Sequence, residues 1–135
     1  NSSKRNKKLM KKIQVAVVLS FLSMGCFGNT VLLDEYNKEV DPYYKRLKNA
    51  SMVLHELREK KLNEGSITSK EYKQAFFLNC GSIGYLNKIK TISEKPKYRN
   101  LDKAKMLKSM VVKTKEVMDV TEKDCNQEGI YVPLK

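Results

Sequence analysis

Apolar residues recur at intervals of three and four along most of this chain, and period-two alternation is almost absent. Such spacing lines one side of an α-helix, so the pattern predicts an all-α protein. Three stretches carry it. Over about residues 34–63, Val40, Tyr44, Leu47, Leu54, Leu57 and Leu62 share a face, and Gly65 supplies a C-terminal stop. Pro42 fits either a late start with Asp41 as N-cap or a kink inside a longer helix. The second helix opens at the capping box Thr68-Ser69-Lys70-Glu71 and buries Tyr72, Phe76, Cys80, Ile83 and Leu86. Gly81 and Gly84 lie within it, which implies either a close helix crossing or a break near Cys80.

Residues 93–99, with Pro96, read as a connector to a third helix capped by Asn100. Leu101, Ala104, Leu107, Val111, Thr114, Met118 and Thr121 form its apolar face. Gly129 and Pro133 then predict an extended tail that packs through Ile130, Tyr131 and Val132. Short connections make neighbouring helices antiparallel, so the expected architecture is a small antiparallel three-helix bundle with an extended C-terminal tail. It occupies residues 29–135 as one domain.

The segment ahead of this domain is different in kind. The first residue is Asn1, whereas Met10 is followed by Lys11, Lys12 and the apolar run Ile13–Leu22. A short basic region before an apolar run is the layout of a secretory signal. Translation from Met10 would make residues 1–9 upstream sequence and residues 10–28 the signal. Small residues precede two candidate cut sites, one ahead of Asn29 and one ahead of Cys26. Leu22-Ser23-Met24-Gly25-Cys26 resembles the lipobox of bacterial lipoproteins, although Ser23 and Met24 depart from its preferred residues. That resemblance implies lipidation at Cys26. Ordinary cleavage stays open, and so does an uncleaved anchor, because Ile13–Leu33 carries no charge and a span needs roughly 20 apolar residues. Each alternative leaves the domain exported.

Charge follows the same division. The formal net charge is +12, with 27 basic and 15 acidic residues, but six of the basic residues lie before the apolar run. The domain itself therefore carries 21 basic residues against 15 acidic ones. Ten basic residues fall between Lys88 and Lys115, against only Glu94 and Asp102. Such a stretch concentrates anionic partners. Removal or lipidation of Cys26 would leave Cys80 and Cys125 as a pair, the even number an oxidising compartment favours. Yet Cys80 stands 16 residues before Pro96 and Cys125 stands 29 after it. In straight antiparallel helices their levels would differ by roughly 20 Å. The bridge thus requires a break in the second helix, or an early end to the third with its tail folded back.

Leu54, Leu57, Leu62, Gly65, Ile67, Thr68, Glu71 and Tyr72 form a helix–glycine–capping-box junction. This junction resembles the short helical hairpin known as SHOCT over under a fifth of the chain, which implies self-association or partner contact. Catalytic chemistry finds little support. His55 is the only histidine, with Glu59 four residues on, and no nucleophile relay or metal-ligand spacing surrounds it. There is no glycine-rich phosphate loop, and neither a cofactor nor a metal is expected.

The expected function is a non-enzymatic protein-binding module of the bacterial cell envelope, of assembly-factor, inhibitor or immunity type. Its partner would be another envelope or secreted protein. Lys97, Tyr98, Arg99, Lys103 and Lys105 straddle the start of the third helix, where positive side chains oppose the helix dipole. They are the expected binding edge, with Tyr43 and Tyr44 beside Pro42 as the other candidate site. The alternative is a polyanion binder that uses residues 88–115 on an acidic lipid surface, with nucleic acid less favoured.

Overall fold

A computed structural model of the protein describes residues 30–118 and 120–130, which form helices and turns with no strand among them. Four helices follow one another: α1 (Thr30–Glu64), α2 (Ser69–Ser93), α3 (Asp102–Val117) and α4 (Glu122–Gln127). The signal-like segment, Met10, Cys26, Tyr131, Val132 and Pro133 lie outside the described residues. No described helix is long and apolar enough to cross a membrane.

Helix α1 is the longer of the two forms the sequence left open. It runs unbroken through Pro42, an exposed residue whose missing N–H falls on the solvent side. Asp41 is therefore inside the helix and does not cap it. Leu62 leaves the apolar face at 66% exposure, because it follows the buried Leu57 by five residues and so lies more than a quarter turn off the stripe. Gly65, at φ 83°, then reverses the chain, and its N–H bonds to Lys61 O at 2.8 Å.

Thr68 caps α2 as its sequence predicts. Its hydroxyl accepts from Glu71 N at 3.1 Å, and Glu71 Oε1 accepts from Thr68 N at 2.9 Å. Helix α2 does not break at its glycines; it continues to Ser93. It is the central element, packed against α1, α3 and α4. That position explains why Ala75, Asn79, Ser82 and Ile89 are buried outside the single predicted stripe. The start of α1 meets the end of α2, where Tyr36 donates to Ser93 Oγ at 2.6 Å while Ser93 donates to Ile89 O. At the other end Lys60 of α1 pairs with Glu71 of α2 at 2.8 Å.

Two further expectations are corrected. Helix α3 has Leu101 at its N-cap with no side-chain cap bond, so Asn100 does not cap it. It also ends at Val117 rather than reaching Thr121. Met118 turns extended, and Thr121 with Asp124 builds a second capping box that starts α4. The expected extended tail is therefore preceded by this short helix.

The core has two parts. Tyr36, Val40, Tyr44 and Leu47 of α1 pack with Leu86, Ile89 and Ile92 of α2 and with Ala104, Leu107 and Val111 of α3. Beyond the end of α3, Leu54 and Leu57 pack with Ala75, Cys80 and Ile83 under Val120 and Cys125. Met118 touches both clusters at the crossing. The Cα atoms of Cys80 and Cys125 stand 5.8 Å apart, within disulfide-bonding distance, as the folded-back tail requires.

Candidate functional site

The connector between α2 and α3 folds as consecutive turns, with the N–H groups of Tyr98 and Arg99 both bonding to Lys95 O at 2.9 Å. These turns direct the Tyr98 ring inward. It meets Tyr36 edge-on with ring centroids 5.3 Å apart, and Tyr98 is only 1% exposed. Lys103 is 4% exposed and donates to Asn37 Oδ1 at 2.6 Å, while burial lowers its pKa from the ordinary lysine value. Neither residue offers a surface for a partner.

The five-residue edge read from the sequence is thus divided. Lys97 lies over the Tyr98 ring at 4.8 Å and near Glu35 and Glu39, at 3.8 and 4.0 Å. Glu39 is also bonded by Lys95, and this hydrogen bond is the main cause of its lowered pKa. The positive charge on that side of the connector is therefore matched by α1 carboxylates.

Arg99 and Lys105 turn to the other side. Together with Lys108, Lys113, Ser93, Glu94, Ser109, Val112 and Glu116 they line an open groove of about 690 Å³ between the end of α2 and the outer face of α3. Lys108 pairs with Glu94 at 3.1 Å. Arg99, Lys105 and Lys113 make no ion pair among the described residues. Lys60, Lys95 and Lys115 each meet a carboxylate, whereas Lys38, Lys45, Lys48, Lys70 and Lys73 also make no ion pair among the described residues; the groove residues differ from these in lining one concavity. Lys108 and Lys113 lay within the basic stretch of the sequence, but the spacing around the connector did not single them out.

The second candidate also divides. Tyr44 is buried in the first core cluster and its hydroxyl has no hydrogen-bond partner among the described residues. Burial pushes its pKa above the ordinary tyrosine value. Tyr43 is partly buried, and the Arg46 guanidinium stands 5.8 Å from its ring centroid and 5.7 Å from that of Tyr85. Arg46 and Tyr85 belong to a smaller groove of about 250 Å³ on the α1–α2 pair, which also contains Ala50, Val53, Phe77, Leu78 and Gly81. Phe77 is 61% exposed beside it.

His55 and Glu59 lie 3.9 Å apart on the outside of α1, both exposed. Among the described residues no three His, Cys, Asp or Glu side chains gather as a metal site would require. The candidate residues that stay accessible thus fall in two of the open grooves among the described residues, one basic and one aromatic.

No protein-family model matches the chain, and comparisons with curated proteins and with solved structures find no match either. Residues 54–72 hold the end of α1, the Gly65 turn and the Thr68 capping box.

Proposed function

We propose that this is a non-enzymatic protein-binding module of the bacterial cell envelope, exported by its N-terminal signal and built on an antiparallel three-helix arrangement of α1, α2 and α3. It is periplasmic or held at the membrane through lipidated Cys26. Its working surface is the groove beside α3, and its partner is another envelope or secreted protein that presents carboxylates. One observation carries the reading: Arg99, Lys105 and Lys113 line one open groove, and none of the three makes an ion pair among the described residues. Unpaired cations beside an apolar residue such as Val112 suit a polar interface with acidic complementarity. The buried Cys80–Cys125 pair supports the exported setting, since oxidising compartments are where such bridges persist.

The same cations favour a second reading, a polyanion surface that docks on acidic lipid. Salt separates the two. Capture from envelope extract by the tagged protein at two salt concentrations should recover a protein partner at both, with modest weakening at the higher one. Docking on phosphates alone would collapse steeply with salt. Reversal of Arg99, Lys105 and Lys113 to Glu should leave the thermal midpoint near that of the unaltered protein, because all three are exposed and make no ion pair among the described residues. Capture should fall by about tenfold or more. Undiminished capture by the folded triple variant would remove the basic groove as the site.

A further inference from the structure

The geometry points to a second docking surface on the α1–α2 pair, fitted to an amphipathic helix of a protein partner that carries a carboxylate beside its apolar face. The inference rests on the reading of the chain as a protein-binding module but stands on different residues from the basic groove. No residue of α3 or α4 lines this surface. Its floor is Ala50 and Val53 of α1 with Leu78 and Gly81 of α2, and Phe77 stands at its side. Two helices lying side by side leave a trough that a third helix can enter with side chains spaced three and four apart.

Gly81 opens that trough. It sits mid-helix, where glycine costs helix stability relative to alanine. A Cβ there would meet only the Tyr85 ring, at an ordinary 3.9 Å. Crowding inside the protein therefore does not explain the glycine. Its effect is to leave the groove without a side chain at that position, where an incoming side chain can approach closely.

Arg46 supplies the chemical selectivity. Its guanidinium is held near the Tyr43 and Tyr85 rings and makes no ion pair among the described residues. Cation–π contact uses the flat face of the guanidinium and leaves its in-plane N–H donors available. Those donors are matched by a carboxylate, which an arginine can bind through two parallel hydrogen bonds. An aromatic-flanked arginine at the rim of an apolar floor is also the composition that dominates binding energy at protein interfaces.

The test uses the full chain and a helical peptide of about 16 residues, long enough to fold on docking. The peptide has leucines along one face and a flanking Glu; a control peptide has Lys in place of that Glu. Amide resonances of Ala50, Phe77 and Gly81 should shift with the Glu peptide, and the Lys peptide should bind about tenfold more weakly. Gly81→Leu, which fills the trough without removing a contact, should abolish the shifts. Arg46→Glu should invert the preference between the peptides. Binding should persist in the Lys105→Glu, Lys113→Glu variant, which keeps this test separate from that of the basic groove. The inference is overturned if neither peptide binds, if the shifts fall on α3, or if Gly81→Leu leaves binding intact. Sedimentation showing a dimer that Gly81→Leu dissociates would also overturn it, by making a second copy the occupant.

Discussion

Tyr36 and Tyr44 both sit in the first core cluster, yet their hydroxyl groups have opposite situations. Tyr36 donates to Ser93, and burial still pushes its pKa up to about 12. Tyr44 finds no hydrogen-bond partner among the described residues. A buried hydroxyl without a hydrogen bond keeps its desolvation penalty, whereas a bonded one recovers it. Tyr36→Phe should therefore lower stability by about 1 kcal/mol, and Tyr44→Phe should leave it unchanged or raise it by about 1 kcal/mol. Chemical-denaturation midpoints of the two variants test this, and equal losses in both would contradict it. The spacing of α1 identified Tyr44 as a core position but could not reveal whether its oxygen finds a partner. Tyr98 and Lys103 escaped the reading for a related reason. Each lies in or just after a tight turn, where the direction of a side chain depends on the local backbone path and not on a helical period.

At the scale of elements, the helices, the Thr68 cap and the Gly65 stop were legible, whereas the cap read at Asn100 and the end of α3 were not. The Thr68 box and the Gly65 stop act through residues three or four apart, so the sequence displays them directly. The end of α3 was harder to read, because Met118 and Thr121 continue its apolar spacing although the backbone turns at Met118. The discriminating signal was Thr121 followed three residues later by Asp124, a cap placed inside an apparent helix. That break lets α4 fold back over Leu54, Leu57 and Ile83 and brings Cys125 to Cys80. Noncovalent ties accompany the bridge: the buried Val120 contact, and Glu122 Oε1, which accepts from both Lys115 Nζ and Asn87 Nδ2. Since α4 has only six residues, these cannot substitute fully for a covalent link. The double variant Cys80→Ser, Cys125→Ser should lose about 4 kcal/mol, as expected for a loop of 45 residues. Amide exchange should quicken first over residues 118–130. Unchanged exchange there would show that the noncovalent ties hold α4 unaided.

The whole molecule is tied between its elements by carboxylates whose pKa values are lowered. Glu71 joins the end of α1 to the start of α2, Glu39 joins α1 to the connector, and Glu122 joins α4 to α2 and α3. The Lys60 hydrogen bond, helped by Thr68 N–H, brings Glu71 from its usual 4.5 to about 2. Lys95 acts on Glu39, and Lys115 on Glu122, in the same direction. A carboxyl group with a lower pKa in the folded state binds fewer protons there than in the unfolded chain. Its stabilising contribution is complete above the usual carboxylate range and disappears as pH falls toward the folded-state value. Stability should therefore be nearly level from neutral pH down to about 5 and decline steadily from there toward about 2. Glu71→Gln keeps an oxygen for the Thr68 N–H but gives up the charge that Lys60 meets. This variant should be less stable at neutral pH, and its decline below the usual carboxylate range should be shallower. Denaturation midpoints of both proteins across that range provide the comparison. Parallel curves would mean that Glu71 does not couple the α1–α2 junction to pH, and the acid response would then belong to Glu39 and Glu122 at the opposite end and middle of the molecule.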